Sequence, residues 1–235
     1  MWEALALGFR PPTDETVARL ASDEGARALA AAAALLDVGG KTGLAARVRG
    51  LARREGLAAL ENCFRRLFGH TARGAVPPYE TEYGENSLFL PAQEMADLAA
   101  FYRAFSLTLS AGAHERSDHI ACQCEFLLVL TRKEAYALER DDSAMAEAAG
   151  RAARLFLRDH LGRWGPAFGG KLSRSDPDGF YGAMGELFRA FVMHECARLG
   201  VAAGPEFLRL RAPLPDNAPM GCQPLTSSPL PSGER

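Results

Sequence analysis

β-Branched side chains are almost missing from this sequence. Its 235 residues include one isoleucine, Ile120, and seven valines, against 42 alanines and 31 leucines. Strands are built largely from β-branched and aromatic residues, whereas Ala and Leu lead the helix scale. A sheet-based fold is therefore nearly excluded, and an all-α fold is expected. A genome rich in Ala and Arg codons would push in the same direction, and Arg does outnumber Lys by 24 to 3. Such a bias would not remove Ile and Val so thoroughly.

The length allows one or two domains with a real core. The net charge of −2 and a pI near 6.2 speak against a dedicated nucleic-acid binder, which carries a basic stripe. No apolar run approaches a membrane span, since even Ala26 to Leu36 is mostly Ala with Arg27 inside it. Met1 to Leu7 has no basic region and runs into Arg10-Pro11-Pro12, so it does not read as a secretion signal. Five cysteines (Cys63, Cys122, Cys124, Cys196, Cys222) without framework spacing fit a reducing compartment. The expected location is the cytoplasm.

Helix signals recur along the chain. Thr13 with Asp14 and Glu15 opens a helix expected to run to Asp37 and stop at Gly39-Gly40. Further helices are expected over 42–69 and 92–110, from a cap at Ser117 or Asp118 with a buried face running from Ile120 to Ala135, over 143–164 with a stop at Gly165-Pro166, and over 178–200. Between them, 70–91 holds Pro77, Pro78 and Pro91 with two glycines and reads as a long loop, a type that is often functional. The expected organisation is one helical domain over 1–204. After it, 205–235 carries seven of the 14 prolines and reads as a flexible tail.

Charge is segregated. Residues 1–75 carry 11 basic and 8 acidic groups, net +3. Residues 76–142 carry 5 and 12, net −7, and residues 143–235 carry 11 and 9, net +2. The acidic middle coincides with the proline-rich loop and the helix after it. It suits either a cationic, partly apolar partner or a plain solvated face.

Motifs for catalysis are weak. His114, Asp118, His119, Cys122 and Cys124 look at first like a metal site. Positions i and i+2 on a helix point about 200° apart, however, so Cys122 and Cys124 cannot share an ion. Cys124 falls instead on an apolar stripe with Ile120 and Leu127. Gly39-Gly40-Lys41-Thr42-Gly43 lacks the glycine spacing and preceding strand of a phosphate loop. His194-Glu195-Cys196 suits packing or a helix-end contact. Composition and spacing alone reach a helical binding protein.

Five segments, in order, resemble the TorD/DmsD family of redox-enzyme maturation chaperones and the related NarJ-type assembly proteins. They are Glu61 to Phe68, a helix ending in Leu-Phe; Pro77-Pro78-Tyr79-Glu80-Thr81-Glu82-Tyr83; Leu98 to Phe105 with Phe-Tyr-x-Ala-Phe; Glu115-Arg116-Ser117-Asp118-His119-Ile120 with Glu125-Phe126-Leu127; and Phe156 to Pro166 with His160, Leu161 and Trp164. Ser117 stands where the family usually has proline, which would keep a helix start by capping rather than by fixed φ. Cys122 and Cys124 stand at positions that are usually apolar.

The resemblance implies a single-domain helical bundle of the TorD type. It implies a cytoplasmic chaperone, not an enzyme, with no cofactor of its own and neither nucleic-acid binding nor stable membrane insertion. The partner would be the apo catalytic subunit of a dimethyl sulfoxide reductase-type molybdopterin oxidoreductase, bound through its twin-arginine leader until cofactor insertion is complete. Monomer and domain-swapped homodimer both stay open. On this reading Tyr79, Glu80 and Tyr83 form one wall of a peptide groove. Asp118, His119 and Glu125 form the other, with Asp118 and Glu125 seven residues apart on one helix face. Phe68, Pro78, Glu115, His160 and Trp164 are structural motif residues. Asp118 as a simple N-cap and Tyr79 as a loop anchor are the plainer alternatives, and His119 among acids would titrate near neutrality. Two other readings stand beside it: a NarJ-like factor for a non-exported enzyme, and a metal-dependent hydrolase using His114, Asp118 and His119.

Overall fold

The computed structural model describes residues 1–36, 55–69, 73–85, 90–109 and 115–212. Among them run nine α-helices and one 3₁₀ turn. The helices are α1 (Trp2–Gly8), α2 (Asp14–Ala21), α3 (Asp23–Leu36), α4 (Gly56–Phe68), α5 (Leu90–Ala104), α6 (Ile120–Leu138), α7 (Ser143–Asp159), α8 (Leu161–Ser175) and α9 (Phe180–Arg198); the 3₁₀ turn is Glu80–Glu82. Extended pairing among these residues is limited to isolated bridges. The all-α expectation holds.

The centre of the molecule is the pair α8 and α9, joined by the short turn 176–179. The two helices touch backbone to backbone. A Cβ on Gly169 would lie 2.7 Å from the Gly185 carbonyl oxygen, and one on Gly185 would lie 2.7 Å from that of Gly169. Phe168 and Phe188 fill the space beside this crossing edge to face at 5.7 Å, and Phe9 reaches both at 5.4 and 5.3 Å. α1 is thereby held on the pair, with Trp2 against Phe191 at 4.6 Å. A second layer, α6 on α7, is joined by Phe126 and Phe156 at 4.7 Å.

Several boundaries differ from expectation. The helix expected from Thr13 to Asp37 is two, because Ser22 turns extended (ψ 164°) and its hydroxyl accepts from the Gly25 amide to restart the chain. α1 was not expected at all: seven residues are too few to show a period. α5 ends at Ala104, short of 110, where Ser106 adopts φ +56°. Asp37, the run Gly39 to Gly43, and 42–54 lie outside the described residues, as do 70–72, 86–89, His114 and 213–235 with Cys222.

The largest difference concerns Pro166. The expected helix 143–164 breaks instead at His160 (φ −126°, ψ −102°), and Pro166 lies inside α8. A proline in a helix cannot donate to the carbonyl four residues back. That carbonyl belongs to Gly162, and the Gly204 amide donates to it at 2.8 Å. Gly204 passes so close that a Cβ there would sit 2.0 Å from the Arg163 oxygen. The chain after α9 is thus led back over the start of α8 as a strap, 201–212. Its end lies along 82–84: the Gly84 amide donates to Arg209 O at 2.9 Å, and the Arg211 amide donates to Glu82 O at 2.8 Å. Residues 205–212, placed in the tail from sequence, therefore lie against the body.

Candidate functional site

The loop 78–83 and the segment before α6 are stitched together main chain to main chain. Tyr79 bridges His119, the Glu80 amide donates to Asp118 O at 3.1 Å, and the Ile120 amide donates to Pro78 O at 2.8 Å. Side chains complete the junction. Both the amide and the hydroxyl of Thr81 donate to Asp118 Oδ2, at 3.2 and 2.7 Å. Arg116 forks onto Asp118 at 3.0 and 2.8 Å and reaches the Thr81 hydroxyl. Glu80 meets His160 Nδ1 at 3.1 Å and accepts from Gln123 Nε2 at 2.6 Å, while Gln123 Oε1 accepts from Trp164 Nε1 at 3.3 Å. Three of the resembling segments therefore meet at one buried polar junction, and Tyr102 of a fourth donates from its hydroxyl to Ser117 O at 2.8 Å.

Burial sets the protonation there. Desolvation raises the pKa of Glu80, opposed by its bonds to His160 and Gln123. Desolvation lowers His119 to about 4, outweighing the pull of Asp118. The Tyr79 hydroxyl is pushed up by burial and by Glu115, to which it donates at 3.1 Å. Burial likewise pushes Cys122 up to about 12 and Cys124 well above the usual thiol value, so both stay protonated. Among the described residues His160 Nε2 is buried without a hydrogen-bond partner, its ring against Phe101 and Phe156.

This geometry corrects several expectations. Neither Ser117 nor Asp118 caps α6: the N-cap is His119, whose Nδ1 accepts from the Ala121 amide at 3.1 Å. Asp118 precedes the helix and so shares no helix face with Glu125. The expected groove between the two walls is filled by their own hydrogen bonds, and Glu80, Tyr83, Asp118 and His119 are all buried. His119 does not titrate near neutrality. Tyr79 is half-buried, with the Arg116 guanidinium 4.3 Å above its ring and His119 edge-on at 5.3 Å. Glu125 stands apart on a small cleft of about 130 Å³ with Tyr102, Leu107 and Phe126, and pairs with Arg10. Pro78 and Phe68 are buried, Phe68 stacking on Phe168 and meeting Tyr181 edge-on. Among the described residues no three metal-ligating side chains come together.

The larger opening is a cleft of about 410 Å³ on another side of the same loop. Glu80, Tyr83, Glu85, Glu94 and Trp164 line it together with Arg163, and the strap closes it with Gly204, Leu208 and Arg211. Sequence reasoning missed Thr81, Gln123, Glu94 and Arg211. Gln123 alone had a readable signal, being an amide three residues along the apolar stripe from Ile120.

The molecule is thus a helical scaffold whose motif residues hold one loop in place beside an acid- and aromatic-lined cleft. The chain belongs to the nitrate reductase delta subunit family, whose model matches residues 21–169. This is the grouping of TorD and NarJ to which the five segments point. It is 30% identical over 131 residues to the chaperone protein TorD of Vibrio cholerae, covering 55% of this chain and 57% of that one. It is 39% identical over 98 residues (41% and 50%) to the selenate reductase assembly chaperone protein of Thauera selenatis. It is 34% identical over 96 residues (41% and 42%) to the perchlorate reductase assembly chaperone protein of Dechloromonas aromatica. The chain spans about half the length of these relatives. None of the helices described is long and apolar enough to cross a membrane.

Proposed function

We propose that this chain is a non-catalytic assembly chaperone of the cytoplasm. It holds the catalytic subunit of a dimethyl sulfoxide reductase-type molybdopterin oxidoreductase by an extended N-terminal segment, such as a twin-arginine leader, until the cofactor is inserted. One observation carries the reading: the motif residues converge on a single junction and aim a loop with Tyr83 and Glu80 into a cleft also lined by Glu85, Glu94 and Trp164. Carboxylates and aromatic faces in one cleft suit a cationic, partly apolar segment. In this reading Asp118, His119 and His160 are positioning residues, buried behind the loop. Contact falls to Glu80, Tyr83 and Glu85 at the cleft and to Tyr79 and Glu125 beside it. The family description favours a second reading, a delta-type factor for an enzyme that stays in the cytoplasm, which differs only in whether the client segment is an export signal.

Co-expression with a molybdopterin catalytic subunit, with and without its N-terminal segment, tests the proposal. Copurification that is lost with the segment, and that weakens as salt rises, is the expected result. Equal copurification without the segment would place recognition elsewhere.

A further inference from the structure

The strap is held by main-chain hydrogen bonds and one buried side chain, with only partial packing from Val201, Leu208 and Leu210 and an Arg189–Glu206 pair at 2.7 Å. Phe207 is 71% exposed, while Leu208 and Leu210 are only partly covered. Arg211 is the exception. Its guanidinium donates to both oxygens of Glu94 at 2.8 and 3.1 Å, to Thr81 O at 2.8 Å and to Glu85 O at 3.1 Å. Glu94 and Arg211 are both buried, so this is a site built around a guanidinium: one forked carboxylate and two carbonyls. Gly84 lets the loop pass close, since at φ +112° it would carry a Cβ 3.3 Å from Arg211 Nη2. Beside it, Tyr83 bridges Leu210, flanked by the Gly84–Arg209 and Arg211–Glu82 hydrogen bonds. This is how an extended peptide adds to an open backbone edge, and such bonds are indifferent to the side chains they align.

We propose that the backbone of 82–84, together with Glu94, is a binding track for an extended, arginine-bearing segment of another chain. The strap's own Leu208-Arg209-Leu210-Arg211 is its resident occupant, displaced when such a segment arrives. The proposal rests on the reading above, that the chain holds an extended client segment. Incoming and resident segments make the same backbone and guanidinium bonds, so exchange is close to balanced. The tether gives the strap an effective concentration of about millimolar. A client must therefore add contacts, and the cleft supplies them: Gly204, Pro205 and Leu208 line it, so displacing the strap opens it toward Glu80 and Trp164.

The probe is the synthetic octapeptide of residues 205–212, Pro-Glu-Phe-Leu-Arg-Leu-Arg-Ala. It is titrated into the full chain, into Arg211→Ala, and into Arg211→Ala with Glu94→Gln. The expected result is binding about ten-fold tighter or better to Arg211→Ala than to the wild type, because the tethered competitor is weakened. That gain is lost with Glu94→Gln, or when the peptide carries alanine at the position of Arg211. Equal affinity for wild type and Arg211→Ala, with helical circular dichroism unchanged, overturns the proposal. Arg211→Ala strands a buried carboxylate, so a second measurement uses the wild type alone: hydrogen exchange at the Arg211 amide with millimolar octapeptide. Faster exchange supports displacement, and unchanged exchange overturns it. In the same assay, a client segment that binds while Arg211 stays protected overturns the displacement and leaves the chaperone reading standing. A client segment that binds neither wild type nor Arg211→Ala sinks the chaperone reading, and the octapeptide still decides the track.

Discussion

Where α8 crosses α9, Phe168, Phe188 and Phe9 meet edge to face with no polar group among them. Where the loop 78–83 meets the start of α6, comparable depth is filled by Glu80, Asp118, His119 and Gln123. The aromatic hub draws its stability from area removed from water, which is non-directional. The junction gains little net stability from burying charge but penalises every arrangement that leaves a partner unmade. One region makes the fold stable, and the other makes one loop conformation unique. The motifs by which the chain is recognised fall mainly in the second.

The comparison can be broken most forcefully in the hub. Phe188→Ala is expected to lower the unfolding free energy by about 3–5 kcal/mol, read from guanidinium unfolding. In the junction, the largest effect comes through pH. His119 is held near 4 against 6.5 when unfolded, so the unfolded chain takes up the proton first. Its contribution is present above pH 6.5 and lost as the pH falls through about 4, up to about 3 kcal/mol. His119→Asn keeps a capping acceptor and should flatten the stability–pH curve over that window; an unchanged curve would assign the acid sensitivity elsewhere. Asp118→Ala should cost less, about 1–3 kcal/mol, because Arg116 is half-exposed and turns out to water. Its signature is local: faster hydrogen exchange at the Thr81 amide while the hub stays protected. A cost matching that of Phe188→Ala, without local loosening, would erase the distinction. The smallest change is Arg10→Ala, whose pair with Glu125 is exposed on both sides, at under about 1 kcal/mol by thermal melting.

The segregated charge takes on a different meaning in three dimensions. Arg10 and Arg73 from the basic first part pair with Glu125 and Glu82, and Arg211 from the basic last part pairs with Glu94. Asp118 is claimed by Arg116, a cation already counted in the segment sum. Among the described residues, three of the seven surplus negative charges are therefore answered by cations from outside that segment. The surplus is smaller than the segment sums suggest, and at the cleft Arg163 and Arg211 stand beside Glu80, Glu85 and Glu94.

Local signals read well where local physics decides. The apolar stripe of α9, Phe180, Met184, Leu187, Phe188 and Phe191, is buried throughout, and Cys124 packs as the small hydrophobe its position requires. Pro166 misled because its missing hydrogen bond is repaired from outside the helix, by an amide 38 residues further on. The cap of α6 misled because Asp118 had a better offer from Thr81 and Arg116, leaving the end of the helix to His119.

Scarcity of β-branched residues, helical periodicity and the order of the five segments sufficed, without coordinates, to determine an all-α chain and its family. Propensity and spacing act over a few residues, and the sequence displays them directly. Which polar groups share one interior lay beyond that reach. Glu80 finds His160 eighty positions away and Arg211 finds Glu94 across 117, and only burial makes those meetings worth more than water. The tertiary structure alone decided that the motif residues stand behind the cleft and that the strap lies across it.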